Sequence, residues 1–237
     1  MRELSLFTGA GGGLLGTMLL GWHPVGYVEW DKYCQQVIAA RIADGYLPAA
    51  PIFVDVREFI QSGAAAEYRG VADVVTAGFP CQPFSVAGKR AGADDERNMW
   101  PATIKCIRLV RPQYVYLENV PGLLTSGYFG TVLGDLAESG YDMRWRILSA
   151  AELGAPHKRD RLWIVAYTKG MDGTWCHPEE DQFQMGKSAK PRGSLWWKAR
   201  CTPCRMDDGL AYGVDRLKAL GNGQIPAVAA AAWRLLT

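Results

Sequence analysis

The feature that most constrains this chain is a repeated event. Five short apolar runs each stop at a distinctive polar or glycine-rich residue, with room for a helix between most of them. Residues 4–7 run into the glycines of 9–13, and residues 25–28 end at Glu29-Trp30-Asp31. Residues 52–54 end at Asp55, residues 73–77 at Gly78-Phe79-Pro80-Cys81, and residues 113–117 at Glu118-Asn119. Residues 14–20 and 32–42 carry helix-like apolar patterns. Strands that alternate with helices build a parallel sheet covered on both faces. Such sheets bind ligands at the carboxyl ends of their strands, and every polar residue just named falls at such an end. The expected fold class is therefore α/β, a doubly wound, mostly parallel sheet.

Residues 141–148 and 161–167 predict two further strands. From about residue 168 the chain turns polar, basic and Trp-rich, with Trp175, Trp196 and Trp197 prominent. Helical patterning resumes over 214–220 and 225–236. These shifts divide the chain into 1–167, which carries the strand ends, 168–212, a short polar region, and 213–237, a helical segment expected to return to the first part.

Bulk composition excludes little. A chain of 237 residues with 49% hydrophobic and 21% charged residues suits a globular domain. Net charge +2 is too mild to announce nucleic acid, but Lys158, Arg159 and Arg161 cluster, as do Lys187, Lys190, Arg192, Lys198, Arg200 and Arg205. Local basic surface of this kind holds phosphates; a solvated charged face explains it equally well. No apolar run reaches membrane-spanning length, and the N-terminus lacks a signal-peptide layout. Six cysteines without framework spacing fit a reducing cytoplasm.

Glycines at a first strand end allow a tight turn and close ligand approach. Gly11, Gly13 and Gly16 also match a dinucleotide fingerprint. Glu29 lies near the offset at which a carboxylate holds a ribose. Any adenosine cofactor satisfies this, so nicotinamide and S-adenosylmethionine stay tied on these residues. At the other end, Cys81 sits between Pro80 and Gln82-Pro83 in a stiff loop, a poor place for core packing. Cys34 and Cys106, inside helical patterns, suit buried structural thiols. A buried Glu118 beside a thiol could exchange protons once its pKa is raised. In Lys158-Arg159-Asp160-Arg161 the two arginines alternate, so both would face one side of an extended segment, where guanidiniums bind a carbonyl oxygen or a phosphate.

These motifs, in this order, resemble the C5-cytosine-specific DNA methyltransferase family over nearly the whole chain. Leu6-Phe7-Thr8-Gly9-Ala10-Gly11-Gly12 is similar to its first cofactor motif, Glu29-Trp30 to the second and Asp55-Val56 to the third. Pro80-Cys81-Gln82 resembles the catalytic motif and Glu118-Asn119-Val120 the base-recognition motif. His157-Lys158-Arg159-Asp160-Arg161 resembles the arginine motif, with His where Gln is common. Leu217-Lys218-Ala219-Leu220-Gly221-Asn222 resembles the last motif.

The resemblance implies a Rossmann-like methyltransferase with a small target-recognition lobe, S-adenosylmethionine as cofactor and C5 of a flipped-out cytosine as methyl acceptor. It gives Cys81 the nucleophilic addition at C6, Glu118 the contact to N3 and the exocyclic amine, Arg159 the contact to O2, Arg161 support of Glu118 or the Cys81 loop, and Asn119 the shaping of that loop. For the cofactor it implies Phe7, Gly9 and Gly11, then Glu29 on the ribose, Trp30 and Asp55 at the adenine, and Pro80 and Asn222 closing the pocket. Gln82, Ser85, Lys89 and Arg90 lie on a basic loop expected to close over DNA. The implied partner is double-stranded DNA, with a cognate restriction endonuclease as a candidate and a monomer as the expected state. The enzyme would act within a restriction-modification system, or as a phage-borne or orphan methyltransferase. The region at 168–212 is short for the family.

Alternatives differ in substrate or class. They are the same chemistry on RNA, a silent DNA-binding module, a nicotinamide oxidoreductase that would leave the later motifs idle, and an amino-directed methyltransferase whose Asn/Asp-Pro-Pro-aromatic motif is missing. Cys201 and Cys204, with Cys176 and His177, offer zinc-type ligands, but two adjacent residues do not readily chelate one ion, and no metal is expected.

Overall fold

A computed structural model describes residues 1–80, 98–168 and 223–237, together with Asp215 and Ala219, which are helical. The sheet has seven strands: β1 (Arg2–Leu6), β2 (His23–Val28), β3 (Ile52–Phe53), β4 (Val74–Ala77), β5 (Tyr114–Asn119), β6 (Tyr141–Ser149) and β7 (Asp160–Thr168). Their order is β3-β2-β1-β4-β5-β7-β6. The first five are parallel; β7 pairs antiparallel with both β5 and β6. All seven expected strands are present. The third is shorter than expected because Val54 turns out of the sheet and is exposed.

Among the described residues the helices with defined bounds include α1 (Gly12–Met18), α2 (Lys32–Ala43), α3 (Val56–Gln61), α4 (Ala64–Glu67), α5 (Trp100–Val110), α6 (Gly122–Thr125), α7 (Phe129–Glu138) and α8 (Pro226–Leu236). Period-two alternation decides which residues meet which layer. Leu4 and Leu6, Val75 and Ala77, Val115 and Leu117, and Leu162, Ile164 and Ala166 face the layer that includes α3, α5 and α7, where Phe59, Trp100, Ile107, Val132 and Leu136 complete the larger core. The opposite face carries Val74, Tyr114, Tyr116, Trp163 and Val165 against α8. There Trp22 meets Trp233 edge-on at 4.6 Å, and Tyr116 stacks on Trp163 at 5.2 Å. Such ring pairs add about 1 kcal/mol each beyond their buried area.

The glycine run behaves differently from a simple turn. Gly11 takes a left-handed φ of 90°, and the helix begins at Gly12, inside the run. Gly16 is a contact residue: a Cβ there would come within 2.7 Å of both Ala229 Cβ and the Pro226 carbonyl, so α1 and α8 touch backbone to backbone. Cys34 and Cys106 are buried, as their positions imply, and burial pushes the Cys106 thiol up to about 12.

Candidate active site

β1 continues to β2 and β3 on one side, and the chain then crosses to β4 on the other, so the order reverses between β1 and β4. A cavity opens at that switch point, the place where open α/β sheets hold ligands. Its mouth is lined by Phe7, Gly9, Gly78, Glu118, Gly223 and Gln224. Its floor descends along the α8 face of the sheet to Glu3, Thr76, Tyr116 and Trp163.

On the β1 side, Phe7 holds φ 54°, a left-handed conformation uncommon for a residue with a side chain, and Gly9 follows at φ 58°. Strain of this kind is stored where a loop must keep one shape for a ligand. Glu29 fixes that loop. Its two carboxylate oxygens accept the backbone N–H groups of Gly9 at 2.6 Å and Asp31 at 2.7 Å, and the residue is buried. A carboxylate has about four lone-pair sites, so this anchoring is compatible with contacts to two ribose hydroxyls. Asp31 and Asp55 both cap helices: Asp31 accepts the amides of Tyr33 and Cys34, and Asp55 that of Arg57. Trp30, two residues beyond β2, is 72% exposed, an apolar ring open to solvent.

On the β5 side, Glu118 is mostly buried, and Arg161 places its Nε 2.8 Å from Oε1. Burial raises the Glu118 pKa, opposed by the charges of Arg161 and Arg159. The same burial, reinforced by repulsion from Arg161, lowers the Arg159 pKa. The alternation expected through Arg159 and Arg161 is broken. Arg161 lies on β7, but Arg159 precedes the strand with φ 40°. That left-handed residue turns its guanidinium to the Gly223 carbonyl while keeping it in electrostatic reach of Glu118. Asn119 is buried; its Nδ2 donates to the Phe79 carbonyl at 3.1 Å and its Oδ1 accepts from Val120. It therefore ties the end of β5 to the last residues before Cys81. Pro80 is exposed at that point. Cys81, Gln82, Ser85, Lys89, Arg90 and Asn222 lie outside the described residues, as do Cys176, His177, Cys201 and Cys204.

Several site residues escaped the sequence reading. Glu3 is buried on β1, accepting from Thr17 on α1 and from Thr76 on β4 at 2.7 Å. Its period-two relation to Ser5 and Phe7 places it on the cavity face, and a charge inside an apolar strand was the available signal. Tyr116 donates to the Ala229 carbonyl at 2.6 Å. Among the described residues, the Trp163 indole N–H is the buried side-chain polar group with no hydrogen-bond partner. Gln224 reaches the glycine loop and Glu118 together.

Fold and site define a Rossmann-like methyltransferase architecture with a carboxylate-arginine pair at its switch point. The family model for C-5 cytosine-specific DNA methylases matches residues 1–197, and the chain belongs to that family. Among its relatives is the type II methyltransferase M.NgoBI of Neisseria gonorrhoeae, 36% identical over 190 residues, covering 78% of this chain and 56% of the relative. M.HaeII of Haemophilus aegyptius is 35% identical over 170 residues, covering 70% and 50%. M.CviJI of Paramecium bursaria Chlorella virus IL3A is 29% identical over 229 residues, covering 95% and 56%. The chain thus spans about half the length of these relatives. Solved structures share the fold. The S. pombe Dnmt2 methyltransferase superposes with TM-score 0.54 at 22% identity, covering 71% of this chain and 51% of that one. The Entamoeba histolytica methyltransferase EhMeth gives 0.55 at 16%, covering 70% and 52%. No helix among the described residues is long and apolar enough to cross a membrane.

Proposed function

We propose that the protein transfers a methyl group from S-adenosylmethionine to C5 of a flipped-out cytosine in double-stranded DNA. The observation that carries this reading is the Glu118–Arg161 pair, mostly buried at the end of β5 and tied through Asn119 to the loop that bears Cys81.

The strained Phe7–Gly11 loop and the anchored Glu29 fit an adenosine cofactor. Nicotinamide is the poorer fit, because Gln224 occupies the space above Gly12 and Gly13 at the start of α1, where a dinucleotide would set its pyrophosphate. In this reading Glu29 holds the ribose, Asp55 and Trp30 meet the adenine, and Pro80 and Asn222 close the pocket. The cofactor supplies an electrophilic methyl group.

Cytosine C5 is a poor nucleophile. Addition of the Cys81 thiolate to C6 places the electron pair of the C5–C6 double bond on C5, as in covalent catalysis generally. Glu118, whose pKa burial raises against the pull of Arg161 and Arg159, donates in its protonated form to N3 and accepts from the exocyclic amine, so the adduct carries little uncompensated charge. Arg159 holds O2. Arg161 fixes the Glu118 carboxyl. After methyl transfer, loss of the C5 proton to a base and expulsion of Cys81 restore the aromatic ring. The base must leave the stack for any of this. Gln82, Ser85, Lys89 and Arg90 contact the DNA, and residues 168–212 form the recognition lobe beside the catalytic part, 1–167, to which 213–237 returns. The type II names of the relatives support a role in restriction-modification, with an endonuclease of the same specificity as functional partner; a cytoplasmic monomer completes the reading.

Trapping on duplex DNA carrying 5-fluorocytosine tests it. The expected result is a covalent complex that requires S-adenosylmethionine and is lost in Cys81→Ser. No complex with the wild type, or an equal one with the variant, removes the mechanism. Complex formation on fluorocytosine RNA alone would move the substrate to RNA.

A further inference from the structure

Gln224 stands where three glycines leave room for it. Its backbone carbonyl lies in the space that a Cβ on Gly12 would need. Its side-chain oxygen would stand 2.5 Å from a Cβ on Gly13, and its Nε2 3.0 Å from a Cβ on Gly78. A Cβ on Gly78 would also come within 3.2 Å of Glu118 Oε2. Real Cβ contacts are essentially never below 3 Å, so Gly12 and Gly13, the first two residues of α1, make room for the Gln224 backbone and side chain respectively, and Gly78 after β4 lies close against the side-chain amide from the other side. The amide donates to the Glu118 carboxylate. Arg161 already occupies Oε1, and Oε2 is the oxygen on the Gly78 side. The next residue back, Gly223, accepts from Arg159.

Building on the methyltransferase reading, we propose that Gln224 is a positioning residue that joins the first turn of α1, directly after the cofactor loop, to the base-binding carboxyl, so that ligand at the glycines and ligand at Glu118 are felt by one side chain. It touches neither reacting atom. A donor to a carboxylate favours the charged form, so the amide works with Arg161 against burial, and the two together orient both oxygens. Any cofactor that shifts Gly12 and Gly13 at the start of α1 must shift Gln224, and linkage makes the effect reciprocal. The groups that face Glu118 are Arg161 on β7, Arg159 just before it and Tyr116 on β5, with Glu3 on the cavity floor.

The test is the titration of the Glu118 carboxyl, read by 13C NMR in full-length protein labelled at glutamate Cδ and assigned with Glu118→Gln. Gln224→Met keeps length and removes the donor. It is expected to raise the Glu118 midpoint by about half a unit to one unit, the worth of one such hydrogen bond, and to abolish the shift that S-adenosylmethionine produces in the wild type. Gly78→Ala, which crowds the same amide from the other loop, should move the midpoint in the same direction. An unchanged midpoint in both variants, or a wild-type midpoint that ignores the cofactor, overturns the proposal. Because this readout needs no turnover, a wild-type protein inactive on DNA would refute the methyltransferase reading while leaving the linkage to be judged by NMR.

Discussion

Arg161 sets its Nε 2.8 Å from Oε1 of Glu118, across the antiparallel seam between β7 and β5. Glu118 is paired in register with Trp163, and Arg161 lies two residues farther along the same face. Both side chains are largely buried, at 22% and 12% exposure. Removal of one member of such a pair leaves the other charge without compensation. Arg161→Ala should therefore lower stability by about 2 kcal/mol, less than a fully enclosed pair would lose, and reduce kcat/KM by at least about a hundredfold. Arg161→Lys should recover stability better than activity, since an ammonium keeps the charge and loses the guanidinium geometry. Thermal melts with methyl-transfer assays would check this; a stable and fully active Arg161→Ala would show the pair to be incidental.

The direction of the Glu118 shift fixes a pH dependence. Burial raises its pKa, so the protonated form that can donate to N3 persists to higher pH than in an ordinary glutamic acid. Methyl transfer should decline on the alkaline side as Glu118 ionises. Glu118→Gln, which cannot ionise, should flatten that limb while slowing the reaction on the order of a hundredfold or more. An alkaline limb of unchanged shape in the variant would assign it to another group.

Glu3 makes a separate prediction about stability. Burial pushes its carboxyl from 4.5 up to about 7, despite the hydroxyls of Thr17 and Thr76. The folded state then holds a proton that the unfolded state has released between those two values. Stability from this group is complete below the unfolded value and falls as pH rises toward 7. The full swing is on the order of 3 kcal/mol. Glu3→Gln should lose less melting temperature than the wild type across this window and exceed it at pH 8. A wild-type melting temperature that rises through the window would contradict this.

Glu29 holds the Gly9 loop through one short backbone hydrogen bond and the turn at Asp31 through another. Glu29→Ala should weaken S-adenosylmethionine binding more than tenfold and cost about 1–3 kcal/mol, because two amides lose their acceptor. Calorimetric titration gives the first number and a denaturant melt the second. Binding preserved in a destabilised variant would confine Glu29 to holding the loop.

Much of this arrangement is written locally. The strand ends, the carboxylates at positions 29 and 118 and the buried cysteines at 34 and 106 follow from short patterns, because a parallel sheet forces apolar runs to end where ligands bind. The third strand was overread by one residue, since an apolar valine in an exposed bend looks like a strand residue. Long-range effects were harder to see. Alternation places Arg159 and Arg161 on one side only if both are extended, and the left-handed backbone at Arg159 breaks that premise. Gly16 matched a phosphate fingerprint, yet its near neighbours are Ala229 and Pro226, more than two hundred residues away. Gln224 carries no local signal; its place depends on two glycines that open α1 and a third that follows β4. Asp55 and Trp30 read as adenine contacts, while the structure shows a helix cap and an exposed ring, on which the adenine role remains a proposal.

The antiparallel course of β7 fixes the pole at which the chain leaves the sheet. The strand starts beside Glu118 and finishes at Thr168, whose amide donates to the Gln113 carbonyl at the amino end of β5. Nine residues at about 3.3 Å each separate these poles by roughly 30 Å. The described chain therefore leaves β7 at one pole of the sheet and is back at the opposite pole, beside Glu118, by Gly223. Whatever joins Thr168 to Gly223 has to bridge the full height of the sheet, so a deletion that leaves fewer than about nine extended residues between them would pull the Gly223–Gln224 corner away from Glu118.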